Sequence, residues 1–417
     1  MGRRLLFLCH RIPFPPDKGD KIRAWHMLEH LAKSWEVELG CLVDDPADLD
    51  HAATLRATCA AVEAHTTGNR AQAAGRALLR ARPGLPLTLG WFHAPRLRDW
   101  VARGLAAGRY DAVFAYSSAM APYVMGARTP GAPPRRVLDL VDVDSEKWLA
   151  YAAGARGPMR QVWAREARTL LAFERRAVAA FDRSILVSRQ ERQRFVELAP
   201  EAAPRLDWVD NGVDLARFDA TRRHPNPYAG GPPALVFTGT MDYRPNIEAV
   251  SWFAREVMPA LQTQRVAPVF HIVGANPTEA VRALARLPGV YVSGSVADTR
   301  PYIAHATAAV APLRIARGIQ NKVLEAMALG VPVIASPEAF EGVRALPGRD
   351  LLVAEGVAET VHAVMAVVGG AHPGLGAAGR AAVARGHDWA VTLRRLDPLL
   401  GPGTAARMDA GLAEATA

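Results

Sequence analysis

The chain has 417 residues, 50% of them hydrophobic and 22% charged, with a formal net charge of +9. Two domains are the default at this length, and the ordinary composition excludes a disordered, collagen-like or coiled-coil chain. No apolar run approaches the roughly 20 residues of a membrane-spanning helix, and Cys9, Cys41 and Cys59 lack the spacing of a zinc site or disulfide framework.

Short apolar runs alternate with helical stretches, the pattern of doubly wound parallel sheets. The first half predicts strands at Leu5–Cys9, Val37–Val43, Ala112–Tyr116, Val137–Val141, Ser184–Ser188 and Leu206–Val209. Residues 68–109 break the alternation with two helical patterns around Arg82–Phe92. The Pro/Gly-rich stretch 225–233 reads as an interdomain linker. Beyond it, strands are predicted at Ala234–Thr238, Val269–Val273, Val290–Val292, Ala308–Ala311, Val331–Ala335 and Asp350–Val353. The fold class is therefore α/β, with Rossmann-like domains over 1–224 and 234–386. Residues 404–417 are Ala-rich without a pattern and read as a frayed tail.

The charge is uneven. Only five of the 50 basic residues are lysines (Lys18, Lys21, Lys33, Lys147, Lys322). Those five mark positions where a compact ammonium is worth inspecting. Residues 1–210 carry 31 basic against 24 acidic residues, and the remainder 19 against 17. Between His51 and Arg109 nine arginines face only Glu63 and Asp99. Arginine interleaved with Leu, Trp and Phe suits an anionic membrane surface; it reads equally as a solvated helical insertion. At the N-terminus Arg3 and Arg4 precede only Leu5–Cys9, too short for a signal peptide core. A cytoplasmic protein is expected, with peripheral contact on the inner face of the membrane.

The most informative stretch runs from Arg317 to Ala335. A glycine-containing loop (Gly318, Ile319, Gln320) feeds a short helix from Asn321, and a buried strand follows. Such a helix start presents unpaired N–H groups to a phosphate. Lys322 and Glu325 share one helical face, so the lysine could meet phosphates while the carboxylate meets ribose hydroxyls. A plain αβ unit with a surface Lys–Glu pair fits the spacing as well. In the N-terminal loop Pro13, Pro15 and Pro16 stiffen the backbone and Gly19 allows close approach. Lys18, Lys21 and Arg23 surround that glycine with positive charge beside Asp20; the alternative is a solubilising charged turn. His10, His26 and His30 read as structural or solvated.

Asn321–Ser336, NKVLEAMALGVPVIAS, closely resembles the nucleotide-sugar-binding segment of retaining, family-4 type glycosyltransferases of GT-B architecture. Other segments agree in order: RIPFPPDKGDKIRAWHMLEHLA at Arg11–Ala32, VDNGVD at Val209–Asp214, VFTGTMDYRPNIEAV at Val236–Val250, then FHIVGANP and VSGSVAD. The opening motif, DSEKW at Asp144–Trp148 and TMDYRPN resemble the subgroup associated with PEP-CTERM/exosortase exopolysaccharide systems. The resemblance implies two Rossmann-like domains facing a central cleft, with 387–400 crossing back onto the first. It implies sugar transfer, with retention, from a nucleotide-diphosphate donor to a saccharide or polyprenyl-linked acceptor in exopolysaccharide synthesis. No metal or other cofactor is expected, and no nucleic acid.

Donor binding would fall to Arg244, Arg317, Gly318, Ile319, Gln320, Asn321, Lys322 and Glu325. The acceptor or diphosphate loop would be Lys18, Gly19, Asp20, Lys21 and Arg23. Asp142 and Asp144 join Lys322 as catalytic candidates. As a DxD pair they could hold a metal in a GT-A enzyme, but that leaves the second domain unexplained. Their strand-end position places them at the ligand-binding rim; Asp144 reads equally as a helix cap. One departure from the family matters: Arg317 stands where most members carry the first of two glutamates eight apart. A nucleotide-sugar epimerase remains the alternative. A nicotinamide oxidoreductase is disfavoured, because no GxGxxG follows the first strand.

Overall fold

The computed structural model describes residues 2–315 and 318–401. The tail at 404–417 lies outside the described residues. The chain divides into two compact units, Met1–Asp210 with the segment from Leu393 onward, and Asn211–Thr392.

The first unit holds β1 (Arg4–Cys9), β2 (Glu36–Val43), β3 (Ala61–Thr66), β4 (Ala112–Tyr116), β5 (Arg135–Val141), β6 (Arg183–Leu186) and β7 (Leu206–Trp208). They form one sheet in the order β3-β2-β1-β4-β5-β6-β7, parallel throughout. Helices on both faces demand apolar residues on both sides of each central strand; in β1, Leu5 to Leu8 are all fully buried. β3 was not foreseen. It lies at the sheet edge, where only one neighbour must be satisfied, and its polar Glu63 and His65 hide the strand pattern. The two helical patterns over 68–109 resolve into helices Arg70–Leu79, Leu87–Trp91 and Pro95–Ala106.

The second unit holds β8 (Ala234–Thr238), β9 (Val269–Val273), β10 (Val290–Gly294), β11 (Ala308–Ala311), β12 (Val333–Ala335) and β13 (Leu352–Val353). Their order is β10-β9-β8-β11-β12-β13, again all parallel. In each sheet the winding direction reverses beside the first strand, at β1/β4 and β8/β11. Ligands bind beyond the carboxyl ends of the strands at such points.

The division between units falls at Asp210/Asn211, not in the 225–233 stretch. That stretch packs into the second unit: Tyr228 Oη donates to Tyr302 O at 2.9 Å, and its ring lies 4.6 Å from that of His271. The returning chain changes unit at Thr392/Leu393, inside the 387–400 segment. Within the second unit the two crossing segments run side by side. Val213 N donates to His387 O at 2.7 Å, and His387 Nδ1 donates to Asn211 O at 3.1 Å. His387 Nε2 accepts from Arg344 N at 2.8 Å, so the ring is neutral, and burial lowers its pKa to about 4. Within the first unit the segment from Leu393 is a structural part. Leu393, Leu396 and Leu400 are buried, and Arg395 reaches Asp207 Oδ1 at 3.0 Å and stacks 3.9 Å from the Trp208 ring.

Candidate functional site

In the second unit the carboxyl ends of β8 and β9 are brought close by two glycines. A Cβ on Gly274 would overlap the Gly239 carbonyl, and one on Gly239 would lie 2.7 Å from Asn246 Nδ2. The loop after β8 then starts helix Arg244–Trp252, which holds Asn246 only 4% exposed. Asn246 Nδ2 donates to Thr240 O at 2.9 Å, leaving Oδ1 to accept from Lys322 Nζ at 2.9 Å.

Lys322 sits in the first turn of helix Asn321–Ala328, and its ammonium lies 4.8 Å from the Phe237 ring centroid. Burial lowers its pKa to about 8, against the opposing pull of Glu325. Glu325 is raised by burial, although Arg217 and Lys322 favour its charged form. The Val323 and Leu324 amides bond Gln320 O, and the earlier amides of the helix lack intrahelical acceptors. Gly318 takes φ +61°, a turn conformation that favours glycine, and Gln320 Nε2 donates to its carbonyl at 3.1 Å. Ile319 is buried beneath. Asn321 Oδ1 is buried without a hydrogen-bond partner among the described residues. An oriented ammonium, helix amides and an amide oxygen that have no partner among the described residues, and a carboxylate one turn on can together hold an anion attached to a polar group.

Two donor-side expectations need comment. Arg317 lies outside the described residues. Arg244 is half-exposed and pairs with Glu248 at 2.7 Å; the residue of its loop that meets Lys322 is Asn246. Asn246 and Arg217 were not singled out from the sequence. Asn246 follows a proline at a helix start, where an asparagine looks like a cap, and Arg217 is close to Glu325 only in the fold.

The rim of the first unit corrects two further expectations. Lys21 and Arg23 do not line a phosphate loop. Lys21 is 1% exposed and bonds Asp48 at 2.8 Å and Asp17 at 3.2 Å. Arg23 is 1% exposed and bonds Asp139 Oδ2 and Val209 O, each at 2.8 Å. Two positions apart, they leave helix Gly19–Ala32 on opposite sides, and each is buried against its own partners. Lys18 and Gly19 remain exposed at its start. Asp20 accepts from Arg11 at 2.7 Å and lies 3.5 Å from His10 Nε2. Burial would raise its pKa, but the His10 contact and the Arg11 charge hold it well below the usual carboxylate range.

β4 and β5 both end in strain: Ser117 takes φ +79° and Val141 φ +68°. A β-branched residue in that region costs energy, and such strain gathers at functional sites. Asp142 and Asp144 follow directly. Burial, Glu191 and Asp144 raise Asp142 to about 7, and burial raises Asp144 against Lys147 and His10. Asp144 opens helix Asp144–Gly154 without capping it. Ser145 instead bonds Glu174, its hydroxyl donating at 2.7 Å. Burial lifts Glu174 to about 8. The folded chain thus keeps protons that the unfolded chain releases, and stability falls as pH rises toward about 8. Glu174→Gln keeps the acceptor for Ser145 and cannot ionise. Urea denaturation at mildly acid and mildly alkaline pH should show that this variant loses less stability across the interval than the parent. Equal losses in both would remove Glu174 as the source.

Residues 232–368 match the family described as Glycosyl transferases group 1. No curated protein matches the chain by sequence. Among solved structures, HepE of Anabaena in complex with UDP and glucose is similar at 14% identity and TM-score 0.63, over 94% of this chain and 98% of that one. Sucrose-phosphate synthase of Thermosynechococcus elongatus is similar at 19% identity and TM-score 0.68, over 94% and 97%. WaaG, a glycosyltransferase involved in lipopolysaccharide biosynthesis, is similar at 14% identity and TM-score 0.62, over 95% and 100%. The two doubly wound units are those of the GT-B fold.

Proposed function

We propose that the protein transfers a sugar, with retention of configuration, from a nucleoside-diphosphate donor to a saccharide or lipid-linked saccharide of bacterial exopolysaccharide synthesis. Glycosyl transfer is supported by the family match over 232–368 and by the GT-B fold. The observation that carries the site is Lys322, fixed by Asn246 at the open end of a helix whose next turn presents Glu325.

Leaving-group departure puts positive charge on the anomeric carbon and negative charge on the diphosphate. In this reading the Lys322 ammonium and the Asn321 and Lys322 amides are already oriented toward that negative charge, so little reorganisation is needed as it develops. Glu325 accepts from ribose hydroxyls. The diphosphate itself takes the acceptor's proton, which leaves no step for a metal or a strong side-chain base. Asp142, close to its midpoint near neutrality, positions an acceptor hydroxyl at the rim of the first unit. HepE binds UDP in its complexes, which makes a uridine nucleotide the first donor to try.

Calorimetric titration of the full chain with UDP, GDP and their common sugars tests the assignment. One nucleotide series should bind, and Glu325→Ala should weaken it by roughly tenfold to a hundredfold through the loss of a charge-assisted hydrogen bond. If no nucleoside diphosphate binds, or if Glu325→Ala binds as the parent does, the site assignment is wrong.

A further inference from the structure

In the first unit, exposed apolar side chains and arginines coincide in two stretches of sequence that carry no acidic residue. At the end of helix Arg70–Leu79, Leu78 is 69% and Leu79 is 89% exposed. Exposed Arg80 and Arg82 follow, leading into the Pro83–Gly84 turn. No aspartate or glutamate occurs between Glu63 and Asp99. Helix Pro158–Ala180 opens in the same way. Met159 is 47% and Val162 38% exposed, beside exposed Arg156 and Arg160. Leu149, on the preceding helix, is 53% exposed. Residues 147–165 contain no acid, and the flanking Glu146 and Glu166 are buried.

The two segments, some 80 positions apart, meet in the fold. Arg165 Nη2 donates to Arg82 O at 2.9 Å and to Leu85 O at 3.1 Å. Glu166 accepts from the Leu87 and Thr88 amides at 2.7 and 2.8 Å. The positive field of the patch reaches His93, whose pKa is lowered by burial and by Arg80, Arg98 and Arg76.

We propose that this composite surface docks on an anionic lipid bilayer, with Leu78 and Leu79 entering the acyl boundary and the arginines meeting headgroup phosphates. Adjacent leucines this exposed on a helix end are costly in water and signal a partner. A second copy of the same face would oppose arginine to arginine with no carboxylate to neutralise either. Nucleic acid would use the arginines and leave the leucines in water. Only a bilayer offers phosphates and hydrocarbon within one side-chain length. The proposal does not rest on the donor-site reading, since none of these residues belongs to the second unit.

Co-sedimentation of the full chain, without nucleotide, on phosphatidylcholine vesicles with and without phosphatidylglycerol tests it. The parent should partition onto the phosphatidylglycerol vesicles, and less so as salt rises. Arg80→Glu with Arg82→Glu should lower partitioning by roughly thirtyfold or more. Leu78→Ser with Leu79→Ser should lower it even at low salt. Met159→Ser with Val162→Ser should lower it too, which a surface confined to the first segment would not produce. All six positions are exposed, so circular dichroism should show the parental fold. Binding that ignores lipid charge, no binding at all, or variants that bind like the parent would overturn the proposal. So would light scattering that shows a dimer abolished by the leucine substitutions. Nucleotide affinity is untouched by every arm, so this proposal and the donor assignment fail separately.

Discussion

Replacing Lys322 with methionine should lower turnover by about two to three orders of magnitude, the usual cost of removing one preorganised group that faces developing negative charge. Methionine preserves most of the volume beside Phe237 and Asn246, so the fold should survive; an unfolded variant would leave the turnover loss uninterpreted, and thermal melting is the control. Burial holds Lys322 near a pKa of about 8, below the ordinary lysine value. The ammonium is therefore complete only below that point, and kcat/KM, which reports the free enzyme, should fall as pH rises through about 8. Stability carries the opposite sign. Between about 8 and the ordinary lysine value the unfolded chain binds the extra proton, so unfolding becomes harder as pH rises. Lys322→Met should abolish that alkaline gain. A flat pH profile of kcat/KM in the parent would remove Lys322 from the reaction.

The largest effect on stability is expected at Arg23. Its pair with Asp139 is essentially sealed, at 1% and 0% exposure. Arg23→Ala strands a carboxylate in the core and should cost about 3–5 kcal/mol, roughly 10 °C in melting temperature for a unit of this size. Arg23→Met combined with Asp139→Leu removes both charges and should recover much of the loss. Were Arg23→Ala to melt like the parent while raising the donor KM, the arginine would belong to a ligand loop after all.

That contrast shows what the sequence can carry. Both sheets were legible because a parallel strand between two helical layers must be apolar on both faces, and Leu5–Cys9 or Ala234–Thr238 can hardly be read otherwise. The strand Ala61–Thr66 escaped because an edge strand tolerates polar residues. That Lys322 and Glu325 share one helix was legible from the apolar pattern around them, and their spacing of three puts them on one face. Asn246 was not, because its partner lies 76 positions away and only the close approach of Gly239 brings them together. Lys21 and Arg23 were misread for a related reason. Positive charge near a glycine looks like a phosphate site until the fold brings Asp48 and Asp139, distant in sequence, against those side chains. The division between units was displaced because prolines and glycines mark a change of secondary structure, not a change of neighbour; Tyr228 ties that stretch to the second unit.

The place where the chain changes units bears on how it is made. Residues 211–392 are contiguous and finish their own sheet before the first unit is whole. The first unit waits for Leu393, Leu396 and Leu400, which are buried in the finished protein. On a ribosome the later sheet can therefore close while the earlier one still exposes the seat of the last helical turns. Translation that stops near residue 392 would yield a sound second unit attached to a sticky, unfinished first.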